Sequence, residues 1–388
     1  MKVRIADRLK QVEEYYFSRK LKEIAALEKA GESIINLGIG KPDLAPPASI
    51  IDQLKSEAMI PSAHGYQSYK GISELRESIA AFYEKYYQVA CDADTEILPL
   101  MGSKEGIMHL SMAVLNPGDE VLVPNPGYPS YAGATKLTGA IIKNYDLIEA
   151  NNYQIDLQQI DDLSSERTKI IWLNYPHMPT GAKANPEILQ ELIFWAKARE
   201  IIVASDIPYS FILNENPLSI MSLKGAKDCC VELNSLSKSH GMSGWRVGMA
   251  IANEEIIKAM LRFKSNMDSG MFRPIQVAAA AALKMEDKWY ETNNEIYKER
   301  KALILEMLDK IGFGYKSNSA GLFVWTKVSE RFTNGEEASD FFLQKCRVFA
   351  PPGMIFGSNG DAYVRWSLCQ PKEVIDEACR RIITVMNY

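Results

Sequence analysis

The chain has 388 residues, 47% of them hydrophobic and 24% charged, which is enough to bury a large core and ordinary for a soluble globular protein. A formal net charge of −5 argues against a general nucleic-acid binder, which carries a basic excess. Four histidines without an H-x-x-x-H pair and six cysteines without C-x-x-C spacing argue against a zinc site and against a disulfide framework.

Residues Ala6 to Ala30 carry helical periodicity, with Leu9, Val12, Tyr16, Leu21, Ile24 and Leu27 as the apolar face and Gly31 as the stop. This segment lacks the continuous apolar stretch of a signal peptide, and no run reaches the length of a membrane span, so a cytoplasmic protein is expected. Ile34 to Leu37 reads as a short strand running into the loop Gly38-Ile39-Gly40-Lys41-Pro42-Asp43. Strands are then expected at Glu96 to Met101, Glu120 to Pro124, Lys169 to Leu173, Ile201 to Ser205, Val231 to Leu233 and Val247 to Ala252. Helices are expected from the Gly102 turn through Leu115 and from about Pro186 to Arg199. Short apolar strands alternating with helices predict an α/β domain with a mainly parallel sheet. Cys229 and Cys230 are expected as reduced thiols packed in or near strands.

After about Asp268 the pattern changes. Charged helices over roughly Pro274 to Ile311 lead to the strands Gly321 to Trp325 and Tyr363 to Leu368, with a helix between them. This predicts a smaller α+β unit packed with the N-terminal segment, giving a large domain at 45–275 and a small one from 1–44 and 276–388.

Chemistry-bearing residues cluster where strands should end, which is where parallel α/β sheets bind ligands. Ser235-Leu236-Ser237-Lys238-Ser239-His240-Gly241 places a lysine among hydroxyls, and Arg246 follows eight positions later. A buried lysine favours its neutral amine, which attacks carbonyls to form imines. Hydroxyls and an arginine suit a phosphate. Pyridoxal 5′-phosphate is a cofactor that needs both. Gly102-Ser103-Lys104 is either an anion site at a helix start or an ordinary strand–helix turn. Asp206 is either the partner of a protonated ring nitrogen or a helix cap. Asn174-Tyr175-Pro176-His177-Met178-Pro179-Thr180-Gly181 is a tight loop on the same sheet edge, or a plain turn. Tyr128 either stacks on a flat ring or sits in the core.

Taken together, in this order along the chain, these segments resemble the class I/II aminotransferases of the fold-type-I pyridoxal 5′-phosphate enzymes. The resemblance also rests on Asn36-Leu37-Gly38-Ile39-Gly40, Tyr66-Gln67-Ser68-Tyr69-Lys70-Gly71 and Tyr363-Val364-Arg365. It implies the fold-type-I architecture, with a mostly parallel seven-stranded sheet in the large domain. The implied activity is ping-pong transfer of an amino group between an L-amino acid and a 2-oxo acid. Lys238 would form the aldimine and shuttle the proton, Asp206 would pair with the pyridine nitrogen, and Tyr209 would approach the ring hydroxyl. Gly102, Ser103, Lys104, Ser235, Ser237 and Arg246 would surround the phosphate, with Tyr128 on the ring and Asn174 beside it. Tyr66 would reach the phosphate of a neighbouring subunit, implying a homodimer with shared sites and no nucleic-acid or membrane partner. Arg365 would bind the substrate carboxylate, helped by the backbone near Ile39 and Gly40.

Met178 departs from the family, which has asparagine there. A thioether cannot donate a hydrogen bond, so Tyr209 alone, or Asn174 or His177, would serve the ring oxygen. Within the family, the Gly-Ser-Lys-Glu-Gly, Ser-Lys-Ser-His-Gly-Met-Ser-Gly-Trp-Arg-Val-Gly and Asp268-to-Gln276 segments look most like the branch for alanine, methionine or diaminopimelate-type substrates. Arg273 is a second anion site or a surface arginine at a helix start. The alternatives are a carbon–sulfur β-lyase on the same fold and a non-catalytic protein that has kept it.

Overall fold

The chain lays down twelve strands in a computed structural model that describes residues 3–11 and 16–387. They are β1 (Ile35–Asn36), β2 (Ile97–Leu100), β3 (Glu120–Asn125), β4 (Ile141–Asp146), β5 (Thr168–Leu173), β6 (Ile202–Asp206), β7 (Cys230–Ser235), β8 (Gly248–Ala252), β9 (Gly314–Tyr315), β10 (Phe323–Lys327), β11 (Val348–Phe349) and β12 (Tyr363–Ser367). Seven of them form one sheet in the order β2-β8-β7-β6-β5-β3-β4. Only β8 runs against its neighbours, pairing antiparallel with both β2 and β7. The other four pairings are parallel, as the buried apolar runs predict.

Side chains alternate between the two faces of this sheet, and each face has its own core. Val121, Ile170, Trp172 and Ala204 point into one cluster. Their neighbours Leu122, Ile171, Leu173 and Val203 point into the other. Trp172 is fully buried and stacks on Tyr131 with ring centroids 4.8 Å apart, tying the helix Pro129–Thr138 to the sheet.

The strand β4 has no counterpart in the sequence reading. It is an edge strand whose six residues include only one that is buried, Tyr145, so it lacks an apolar run. The helix expected from Ala6 to Ala30 is also changed. A 3₁₀ turn spans Asp7–Gln11, and the α-helix begins at Tyr16 and runs to Lys29. Val12 lies outside the described residues. Ile24 packs with Leu343 and Phe349, but Leu9 is exposed and Leu21 stands at the rim of a cavity. The apolar stripe therefore covers a pocket as well as a core.

β12, β10 and β9 form an antiparallel sheet, and β1 pairs in parallel with β11. Segment 35–36 is thus tied to the C-terminal part of the chain, and Ser367 donates its N–H to the Leu37 carbonyl at 2.8 Å. Cys229 and Cys230 are buried free thiols where β7 begins. Among the described residues, no helix is long and apolar enough to cross a membrane.

Candidate active site

Five parallel strands deliver residues to one sheet edge. β2 leads into Gly102-Ser103, β3 into Tyr128, and β5 into Asn174, while β6 ends on Asp206 and β7 on Ser235. β8 runs the other way, so its start lies at that edge too, with Gly248 opposite both Ser235 and Leu100. This brings Arg246 to the same place. A cavity of about 450 Å³ opens there. Of the fifteen residues singled out in the sequence, all but Gly102 and Tyr66 line it.

Gly102 stands behind the cavity wall. Its φ of 87° suits glycine, and a Cβ would come within 2.2 Å of the Arg246 guanidinium. As the cap of helix Ser103–Val114 it offers no side chain to the first-turn amides, which leaves that helix start suited to an anion. Ser237 bonds to Ser235 through both its hydroxyl (2.8 Å) and its backbone N–H (3.1 Å), and Arg246 Nη1 donates to Ser243 O at 2.9 Å. Arg246 itself adopts φ 58°, a strained conformation for a long side chain.

Asp206 is buried, and burial pushes its carboxyl up to about 7. Tyr131 donates to Oδ2 at 3.1 Å, while Oδ1 has no partner. A buried acceptor without a donor is costly unless something fills it. Burial lowers the Lys238 amine below its ordinary value, with Arg365 and Arg246 adding to the effect. Lys238 Nζ donates to Gly40 O at 2.5 Å. Its turn is pinned from behind by the helix Asp287–Ile311. Trp289 donates to Ser239 O at 2.9 Å, and His240 bridges the Ser239 hydroxyl and Tyr290 OH at 2.8 and 2.9 Å.

Arg365, on β12, enters from the three-stranded antiparallel sheet. Burial lowers its guanidinium to about 10. Nη2 donates to Gly38 O at 2.7 Å, Nη1 lies 3.2 Å from the Met178 sulfur, and Nε has no partner. The fork is held in place with donor capacity to spare, as a carboxylate needs.

The structure narrows the alternatives to Met178. Asn174 is partly engaged, since one amide N–H donates to Asp206 O and its oxygen accepts the Met178 N–H at 2.7 Å. His177 does not line the cavity. It is buried, bonded to Thr180, and lowered to about 3 by burial. Tyr209 does line it. Arg273 is not a second anion site: Glu57 and Glu74 hold it at 2.7 and 3.3 Å, so it is an ion-paired arginine at a helix start. Tyr66 is 94% exposed.

Residues unnoticed in the sequence also line the cavity. They are Ser130 and Ser243 at the polar end, and Phe17, Phe323 and Phe356 at the other. Glu105, His109 and Asp268 also meet elsewhere, with ligand atoms within 4.8 Å, though the Lys264 ammonium already sits on Asp268. Asp268 is remote in sequence, so spacing gave no sign of this cluster.

Known proteins resemble this chain over nearly its whole length. The family model for aminotransferase class I and II matches residues 32–382. The LL-diaminopimelate aminotransferase of Halothermothrix orenii is 40% identical, covering 97% of both chains. The enzyme of the same name from Aquifex aeolicus is 38% identical over 97% of this chain and 98% of its own. A substrate-bound structure of BacF from Bacillus subtilis superposes with a TM-score of 0.94 at 35% identity, covering 99% of this chain and 98% of that one. The chain belongs to the class I and II aminotransferases, pyridoxal 5′-phosphate-dependent enzymes that move an amino group between an L-amino acid and a 2-oxo acid.

Proposed function

We propose that this chain carries out transamination with pyridoxal 5′-phosphate held at the sheet edge, Lys238 as proton carrier and Arg365 as carboxylate anchor. The observation that carries the reading is the meeting in one cavity of the Lys238 amine, the unpartnered Asp206 Oδ1 and the unfilled Arg365 fork. The residues fit the cofactor. Oδ1 is a ready acceptor for a ring N–H, and Ser103, Lys104, Ser235, Ser237 and Arg246 gather donors at one end for a phosphate. Tyr128 offers a face to the ring and Tyr209 a hydroxyl to its oxygen. When bound, the cofactor supplies an aldehyde carbon for amines and a ring that withdraws electrons from the substrate α-carbon.

Arg365 binds the substrate α-carboxylate and, with the Gly38–Gly40 backbone, fixes which bond of the α-carbon faces Lys238. Lys238 Nζ would take the α-proton and deliver it to the cofactor's aldehyde-derived carbon within the same half-reaction, and would carry a proton the other way when a 2-oxo acid is converted to an amino acid. Burial lowers its proton affinity and so favours the neutral amine that a base must be. Asp206 holds the proton of the ring nitrogen. The surrounding walls keep water from competing for it. We further propose a homodimer in which the exposed Tyr66 reaches the neighbour's phosphate.

An absorbance spectrum of the purified protein tests the reading. The visible band should vanish on adding an amino donor and return on adding a 2-oxo acid. Release of pyruvate and ammonia from cysteine conjugates without an acceptor would identify a β-lyase instead.

A further inference from the structure

The cavity has two chemically different ends. Beyond Arg365 its wall is Phe17 and Leu21 from the helix Tyr16–Lys29, together with Ile39 and Phe356. Phe17 and Leu21 are four residues apart and so share one helix face. The guanidinium carbon of Arg365 lies 5.8 Å from the Phe17 ring centre, 4.6 Å from that of Phe356 and 3.8 Å from that of Phe323. A side chain leaving a carboxylate held at Arg365 therefore runs along aromatic and aliphatic surface. The wall is firmly placed. Lys20 bonds Asp340 at 2.7 Å, and Ile24 packs on Leu343 and Phe349.

Among the described residues, the charged side chains of the cavity are Lys104, Asp206, Lys238, Arg246 and Arg365. The first four belong to the cofactor end and the last to the α-carboxylate. Arg273, the remaining basic residue considered for a second anion, is taken by two carboxylates.

We infer that the favoured amino donor has an uncharged, apolar side chain of aromatic or long aliphatic size, and that donors with a charged far end are disfavoured. This rests on the transamination reading above and names its substrate class. LL-diaminopimelate, the substrate in the names of the relatives, carries a second ammonium and a second carboxylate at its far end. Against Phe17, Leu21 and Phe356 both would lose water, and this chain brings no charged side chain to that end to replace it. Phenylalanine, leucine and methionine would instead bury carbon against carbon.

The test uses the holoenzyme and follows the decay of its visible cofactor band with each donor. Phenylalanine, leucine and methionine should exceed LL-diaminopimelate and glutamate by at least about tenfold in kcat/KM. Leu21 is at the rim and 37% exposed, so Leu21→Arg should fold normally. It should raise the glutamate-to-phenylalanine ratio about tenfold by giving a second carboxylate a partner. Phe17→Ala should lower the phenylalanine-to-alanine ratio by a similar factor. Diaminopimelate or glutamate reacting faster than phenylalanine overturns the inference alone, as do unchanged ratios in both variants. A band that no donor moves overturns the transamination reading, and the inference with it.

Discussion

The cofactor end and the side-chain end of the cavity are built on opposite principles. At the cofactor end, short contiguous motifs at strand termini supply charge, hydroxyls and amides, and several donors and acceptors stand unfilled. At the side-chain end, residues far apart in sequence (Phe17, Ile39, Phe323, Phe356) converge to make a surface with no charge of its own. The first arrangement suits fixed chemistry, since each group has a ligand atom to meet. The second suits selection, because an apolar wall acts by excluding charge.

Substitutions at the two ends should therefore fail differently. The largest loss is expected for Lys238→Ala, with turnover falling about ten-thousand-fold or more because no other group can move the α-proton. Cofactor should still bind non-covalently, which dialysis and absorbance would show. Turnover within tenfold of wild type would remove Lys238 from its role. Arg365→Ala should lower kcat/KM for every amino acid alike by about a hundredfold or more, the cost of a lost charge-assisted fork. It should leave cofactor affinity intact. A loss confined to some side chains would move Arg365 from the carboxylate to the selective wall.

The same contrast explains what the sequence makes legible. Lys238, Asp206 and Arg246 stand out because their residue types are costly to bury and sit near glycines, prolines or hydroxyls at strand ends, whereas Arg365, in the middle of β12, is reached only through the family resemblance. The parallel sheet was legible from apolar runs such as Ile170-Ile171-Trp172-Leu173. β4, whose Ile-Ile-Lys-Asn-Tyr-Asp sequence meets solvent at an edge, offered no such run. Phe17, Phe323 and Phe356 are not singled out, because an aromatic residue lining a pocket has the same local pattern as one filling a core. Ion pairing decided Arg273 through Glu57 and Glu74, which are distant in sequence and near only in the fold.

The unfilled carboxylate of Asp206 gives a smaller effect with a definite sign. Its carboxyl is raised to about 7 by burial, against an ordinary value of 3.8. The cost of keeping it ionised is borne above pH 7 and is relieved as pH falls from about 7 towards 4, where the folded protein holds a proton that the unfolded chain does not. In cofactor-free protein, Asp206→Asn should be the more stable form at pH 8, by at most about 4 kcal/mol. That advantage should shrink steadily towards pH 5 in thermal or urea unfolding. A difference independent of pH would mean that Asp206 stays ionised, held by Tyr131, Ser103 and Lys238. His177 and His240, lowered to about 3 by burial, are common to both proteins and cancel in the comparison.

The subtlest test sits where the two ends meet. Met178 touches Arg365 with its sulfur and occupies cavity wall beside the ring oxygen's expected place. With the Asn174 amide anchored on Asp206 O and His177 outside the cavity, Tyr209 supplies a hydroxyl for that oxygen. A Met178→Asn amide could add a second donor while its carbonyl takes over the Arg365 Nη1 contact. A donor to the ring oxygen favours the form that has lost its proton, so the visible band of the holoenzyme should titrate about one pH unit lower in the variant. Tyr209→Phe in the wild-type background should move the midpoint the other way, because the hydroxyl donor would be gone. If Met178→Asn leaves the midpoint in place while Tyr209→Phe raises it, Tyr209 already satisfies the oxygen and the thioether serves Arg365 alone. If neither variant moves it, neither side chain contacts the ring oxygen.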